Sequence, residues 1–127
     1  MAGPAPLAGL RVIESSILGP AAITTAFADL GAEVIKVETP AGDYIREMTW
    51  PIIQGVSLMH YHLNRGKKSI TLDLKTEAGK ELYRELVRDA DVVIEAMRPG
   101  VLAKLGLGFE DLRKVNPAIV FCTVSGY

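Results

Sequence analysis

The fold is decided between Leu10 and Glu38, where Leu10-Arg11-Val12-Ile13-Glu14 is followed by Gly19-Pro20, by Ile23, Ala26, Phe27 and Leu30 closed by Gly31, and by Glu33-Val34-Ile35-Lys36-Val37-Glu38. The outer pieces are rich in the β-branched residues of strands, and Thr39-Pro40-Ala41-Gly42 marks the second one entering a loop. Between them Pro20 stands where a helix can begin, the apolar residues recur at helical spacing, and Gly31 offers a left-handed C-terminal cap. Strand, helix and strand in this order make two parallel strands joined by a right-handed crossover. The connecting loops and helix N-termini then gather on one rim, where such sheets bind ligands.

Working outward, Lys68-Ser69-Ile70-Thr71-Leu72-Asp73-Leu74 alternates like a half-buried strand. Thr76 then caps a helix carrying Ala78, Leu82, Tyr83, Leu86, Val87 and Ala90, with Gly79 standing where a capping box would place Glu or Gln. Val92-Val93-Ile94-Glu95 is a continuous apolar run, as expected of an inner parallel strand covered on both faces. Arg98-Pro99-Gly100 follows it directly, then short helices near Val101 to Leu105 and Glu110 to Val115, and a final strand from Ala118 to Val124. The middle, Asp43 to Gly66, holds Trp50, Pro51, Tyr61 and both histidines without a sustained period, and reads as irregular with short helices. The alternation predicts an α/β layer structure with a mostly parallel sheet.

At 127 residues the chain is long enough for one modest core, so residues 1–127 are expected to form a single domain. Its 14 basic and 15 acidic residues are mixed along the sequence and leave a formal charge of −1, which argues against nucleic acid or an anionic membrane as partner. Cys122, the only cysteine, lies in the apolar run Ile119 to Val124 and reads as a buried thiol in a reducing, cytoplasmic protein. The apolar runs are far shorter than the ~20 residues of a membrane span. Met1 to Ala8 lacks the basic start and apolar stretch of a signal peptide.

Residues with possible chemistry cluster at strand ends. The loop Ser15-Ser16-Ile17-Leu18-Gly19-Pro20 opens a helix whose free N–H groups favour an anion, but it lacks the GxGxxG spacing of a dinucleotide site; a loop that simply starts a helix explains it as well. Asn64-Arg65-Gly66-Lys67-Lys68 groups three cations around a glycine, which suits either phosphates or a solvated loop. Arg98 stands at the rim directly after an apolar strand, while Lys75 and Lys104 also read as solvated charges. His60 and His62 at i, i+2 share one side of a strand but diverge on a helix, and with no further histidine they do not make a metal site. Ser125-Gly126-Tyr127 lacks the G-x-S-x-G elbow of a serine nucleophile.

Several segments, read in order, resemble the class III CoA-transferases, the family of formyl-CoA and carnitine-CoA transferases and the related α-methylacyl-CoA racemases. They are Leu7-Ala8-Gly9-Leu10-Arg11-Val12, Gly19-Pro20, Leu30-Gly31-Ala32-Glu33-Val34-Ile35-Lys36-Val37-Glu38, Gly42-Asp43-Tyr44-Ile45-Arg46 and Asn64-Arg65-Gly66-Lys67-Lys68-Ser69. Leu72-Asp73-Leu74-Lys75, Ala90-Asp91-Val92-Val93-Ile94-Glu95, Arg98-Pro99-Gly100, Leu105-Gly106, Asn116-Pro117 and Ser125-Gly126-Tyr127 continue the series. The resemblance implies a Rossmann-like sheet with flanking helices, forming the N-terminal part of the family's large domain. It also implies that coenzyme A is held by the segments after the first, third and fourth main strands. By position, Ile17 and Leu18 would line the cofactor, Leu72 and Lys75 would flank its adenosine end, and Ala96, Met97, Arg98 and Lys104 would approach its phosphates and pantetheine. Formyl-CoA transferase has Gln at the position of Ile17 and Arg at that of Thr39.

In the transferases of this family an aspartate attacks an acyl-CoA thioester before a carboxylic acid takes over the CoA. The racemases use a histidine and an aspartate as acid and base. Both sets of residues are expected beyond Tyr127, so no catalytic residue is assigned among Asp29, Asp43, Asp73, Asp89, Asp91 and Asp111. The substrates implied are an acyl-CoA and an acid, without a metal. The assembly implied is an interlocked homodimer or a complex with a chain supplying the C-terminal part. A non-catalytic CoA-binding or assembly subunit is the reading from another class, and a generic nucleotide module is disfavoured by the missing glycines.

Overall fold

The computed structural model describes residues 3–126. Five parallel strands form the main sheet: β1 (Arg11–Ser15), β2 (Glu33–Glu38), β5 (Lys68–Thr71), β6 (Val92–Glu95) and β7 (Val120–Thr123). They lie in the order β5-β2-β1-β6-β7, so the first strand is central and the order reverses beside it. Helix α1 (Gly19–Asp29) crosses between β1 and β2, α4 (Glu77–Arg88) between β5 and β6, and the short α5 (Val101–Lys104) and α6 (Phe109–Val115) between β6 and β7. Gly31, at φ 98°, ends the turn after α1 as expected.

The segment expected to be irregular holds α2 (Ile45–Met48), a two-residue hairpin of β3 (Ile52–Ile53) and β4 (Val56–Ser57), and α3 (Leu58–Asn64). These elements are too short for a period to emerge, and α3 is secured by a local cap in which Ser57 Oγ accepts from the His60 N–H at 3.1 Å. Strand β5 ends at Thr71, so Leu72 and Leu74 lie in the turn before α4 rather than in the sheet.

Two apolar clusters cover the two faces. Ile13, Val93 and Phe121 stand in register on one face and pack under α4, α5 and α6 with Tyr83, Val87, Leu102, Leu107 and Leu112. On the other face Val12, Val34 and Ile94 pack with Phe27 and Ala28 of α1. Because α4, α5 and α6 all return on the first face, nothing among the described residues covers the second face at β7, where Val120 remains 60 % exposed. Cys122, expected to be buried, lies on that open face beside Ile94 and is exposed. An apolar sequence buries an edge strand only where a helix lies over it.

Thr76 caps α4 as expected, accepting from the Gly79 N–H at 3.1 Å. The close return of the chain also explains why Gly79 replaces a capping-box residue. A Cβ at this position would fall on the Asp73 carbonyl oxygen and within 2.7 Å of the carbonyl carbon. Alanine favours a helix interior by about 1 kcal/mol over glycine, but overpacking against backbone costs about 1–3 kcal/mol. Gly79→Ala is therefore expected to lower the urea midpoint rather than raise it.

Candidate functional site

Where the strand order reverses, the loops leaving β1 and β6 diverge and open a crevice at the C-terminal ends of the strands, the usual ligand position in such sheets. The crevice encloses about 230 Å³ and is walled by Ser15, Ser16 and Ile17 after β1, Lys36 to Thr39 at the end of β2, Gly42 and Asp43, and Ala96 and Met97 after β6. Its floor is held from below: Tyr83 of α4, fully buried, has its hydroxyl 3.2 Å from Ser15 Oγ. Burial pushes this phenol up to about 12, so it remains protonated at any physiological pH. A second concavity adjoins across the β6 loop, lined by Glu95, Arg98, Pro99, Gly100, Phe109 and Phe121 among others. The Glu95 carboxylate accepts from the Met97 N–H at 2.8 Å and so fixes the turn that separates the two.

Beneath the crevice lies a buried cluster of charge. Glu14 and Lys36 are partners in the β1–β2 register and meet on one face, with Nζ 3.1 Å from Oε1. The other carboxylate oxygen of Glu14 accepts from Thr24 at 2.6 Å and pairs with Lys67 at 2.8 Å. Ser16 donates to Glu14 at 2.9 Å, and Lys36 donates also to the Ser16 carbonyl at 2.6 Å. Lys67 donates further to the Ala21 carbonyl at 2.8 Å, and burial lowers its ammonium from the usual range despite Glu14. Glu38, next on the same face of β2, receives Arg46 at 2.6 and 3.1 Å, Ser69 at 2.7 Å and the Asp43 N–H at 2.9 Å. Burial alone would raise the Glu38 carboxyl; these donors outweigh it and bring it down to about 2.

The residues singled out in the sequence do not all converge. Ile17, Ala96 and Met97 line the crevice, and Arg98 lines the adjoining concavity. Leu18 is half-buried at the start of α1 with φ 53°, a backbone conformation uncommon for a residue with a side chain. Leu72 is buried in the core under α4, with its N–H donating to the Glu38 carbonyl at 2.9 Å. Lys75 and Lys104 are exposed and line neither hollow. The basic group at Asn64 to Lys68 is not a free phosphate cradle, and Arg65 and Lys68 within it are exposed, as in a solvated loop. Lys67 is buried on Glu14, Arg65 pairs with Asp29 at 2.5 Å and Lys68 with Glu33 at 2.5 Å. His60 and His62 sit on α3 and diverge. His60 turns inward, where burial lowers it and Asn64 lies 3.1 Å from its Nδ1, while His62 is exposed. No group of three or more His, Cys, Asp and Glu suited to a metal occurs among the described residues, and none of their helices is long and apolar enough to cross a membrane.

Residues 7–127 match the model of CoA-transferase family III. The chain belongs to that family. Among family III relatives, the succinate–glutarate CoA-transferase of Agrobacterium fabrum is 47 % identical over 131 residues, covering 96 % of this chain and 32 % of the relative. The succinyl-CoA–L-malate CoA-transferase beta subunit of Chloroflexus aurantiacus is 39 % identical over 124 residues, covering 96 % and 31 %. The crystal structure of a CAIB/BAIF family protein from Brucella suis superposes with a TM-score of 0.91 at 42 % identity, covering 98 % of this chain and 34 % of that one. The chain thus spans about a third of the length of the relatives it matches.

The charge cluster is the part of this family III chain that the sequence reading missed. Its signal was present: Val12 and Glu14, and Val34, Lys36 and Glu38, alternate on one face of two adjacent strands, with opposite charges at matched positions. Two outcomes follow from the geometry. Glu14→Gln leaves Lys36 and Lys67 buried without their shared carboxylate and is expected to cost about 3–5 kcal/mol in urea unfolding. The stability contributed by the depressed Glu38 carboxyl is complete above its ordinary value of 4.5 and is lost as the pH falls toward about 2. Arg46→Met removes the strongest of the interactions holding that value down, so its acid-unfolding midpoint is expected at higher pH than that of the wild type.

Proposed function

We propose that this chain is the coenzyme A-binding part of a family III enzyme that moves CoA from an acyl-CoA thioester to a carboxylic acid. The observation that carries the reading is the crevice at the strand-order reversal, with Ile17, Ala96 and Met97 on its walls and Arg98 beside it. An apolar slot next to an exposed guanidinium suits a ligand that joins a flexible amide-bearing arm to phosphates. Lys104, exposed on α5 next to Ala103 of the second hollow's wall, is the second cation proposed for the phosphates. In this reading residues 1–127 act as a single Rossmann-like unit, Leu18 and Lys75 contact CoA only at its edges, and Leu72 supports the turn after β5 from within the core.

The transfer requires a carboxylate that attacks the thioester carbonyl carbon, forms an anhydride and releases the CoA thiolate. In this proposal that carboxylate comes from sequence beyond Tyr127 or from a partner chain, and the working assembly is a dimer or a hetero-oligomer. The beta subunit of Chloroflexus aurantiacus, 39 % identical, favours keeping the hetero-oligomer as a second reading.

Titration calorimetry with CoA tests the binding assignment. Arg98→Ala, at an exposed position, is expected to leave the melting temperature unchanged and to weaken CoA binding by roughly 10-fold or more, the loss of a charge-assisted hydrogen bond. Unchanged affinity would overturn the site. The purified chain alone is expected to transfer no CoA between acids, and measurable turnover without a partner would overturn the division of labour.

A further inference from the structure

Two hollows of about 340 and 200 Å³ lie between α2, α3 and the β2–β5 edge of the sheet, and they share the walls Arg46, His60 and Asn64. Lys36 and Glu38, filled by their own partners, stand between the smaller hollow and the crevice. His60 is only 9 % exposed, and its ring is held in one tautomer by its neighbours. Lys67 Nζ donates to Asn64 Oδ1 at 3.3 Å, which turns the amide nitrogen of Asn64 toward His60 Nδ1, 3.1 Å away. An amide nitrogen only donates, so Nδ1 accepts and the ring proton sits on Nε2. Burial, and after it the Arg46 charge, lower His60 and favour the neutral ring. Nε2 has no hydrogen-bond partner among the described residues. Asp43 Oδ2 is the one solvent-sealed side-chain atom in that condition among them, so Nε2 reaches the open space of the hollow.

Arg46 supplies the second donor. Its Nε and Nη2 are spent on Glu38, at 3.1 and 2.6 Å, which leaves Nη1 without a partner among the described residues. The acceptors in the walls are already taken. Both oxygens of Glu38 are filled by Arg46, Ser69 and the Asp43 N–H, and Asn64 Oδ1 is filled by Lys67. We propose that this hollow is a binding site for a small carboxylate, received by Nη1 of Arg46 and the Nε2–H of His60 and separate from the coenzyme A crevice. The charge balance selects a single negative charge. Lys36 and Lys67 are matched by Glu14 and Asp43, and Arg46 by Glu38, so the surroundings hold no surplus of cations for a dianion. One guanidinium nitrogen and one neutral imidazole N–H suit the two oxygens of a carboxylate, and taking them leaves the Glu38–Arg46 pair unbroken. The site does not depend on what the crevice binds.

Acetate is the probe, and NMR of the nitrogen-labelled histidine rings in the wild type is the first reading. Before acetate is added, His60 is expected to carry its proton on Nε2, and a proton on Nδ1 overturns the donor assignment. Acetate is expected to move the His60 Nε2 signal to saturation in the millimolar range and to leave the exposed His62 in place. A shift that does not saturate, or that moves both histidines alike, overturns the proposal without any mutation. His60→Phe is expected to weaken acetate roughly 10-fold or more, whereas His60→Gln, whose amide NH2 reaches the place of Nε2, is expected to stay within about 3-fold of the wild type. Equal affinities in the two variants overturn the role of the Nε2–H. Inorganic phosphate is expected to bind more weakly than acetate, and tighter binding overturns the assignment to a carboxylate. Saturating acetate is expected to leave the affinity for CoA unchanged; competition between them overturns the separation of this site from the crevice and leaves the CoA proposal standing.

Discussion

A carboxylate in the middle of a parallel sheet constrains everything around it. Glu14 is fully buried on the central strand, and its two oxygens take up Lys36 from β2, Lys67 from the lead-in to β5, Thr24 from α1 and Ser16 from the loop leaving its own strand. Burying these charges is expensive, and an apolar core of the same volume is often at least as stable, so the cluster is not evidence of exceptional stability. What it does is fix positions. A buried ion pair tolerates little displacement, because each partner left without the other becomes an unpaired charge. The start of α1, the chain before β5 and the loop carrying Asp43 are thereby held in one relation to the end of β1.

The crevice takes its character from this arrangement. On the second face of the sheet the first halves of the strands are apolar, with Val12 and Val34 beneath α1, and the second halves carry Glu14, Lys36 and Glu38. The change from one to the other occurs just below the rim, which leaves a floor of neutralised charge under walls that are mainly apolar. Because the cluster absorbs Lys36 and Lys67, few strong cations remain at the crevice itself. Arg98, on the turn after β6, stands outside that network.

The parts of the fold legible in the sequence were those with a long enough repeat or unambiguous punctuation. Pro20 and Gly31 bracketed α1, the run Val92 to Glu95 marked an inner strand, and Thr76 marked the start of α4. The family resemblance, carried by many short collinear segments, was borne out by the match over residues 7–127. Elements of two to seven residues between Ile45 and Asn64 gave no period to read, because their stability comes from packing on α1 and from local caps. Cys122 was misread because residue type says nothing about which strand lies at an edge. Of the cations around Gly66, Arg65 and Lys68 are exposed as in a solvated loop, but Lys67 is buried because its partner Glu14 is brought close only by the crossover. Of the site, the sequence indicated the rim loops, but the pairing of Lys36 with both Glu14 and Asp43 beneath them emerges only once the strands are in register.

The strand order also has a consequence in time. All the partners of Glu14 precede β6 in the chain, the last of them being Lys67, whereas the opposite side of β1 pairs only with residues 92–95. As the polypeptide leaves the ribosome, β5, β2 and β1 with their ion pairs are all available while the other edge of β1 still lacks its neighbour. In that interval an apolar strand, Val12 and Ile13 included, presents free N–H and C=O groups to any other extended chain. The nascent protein is thus most exposed to mispairing along what becomes the most deeply buried strand of the finished one.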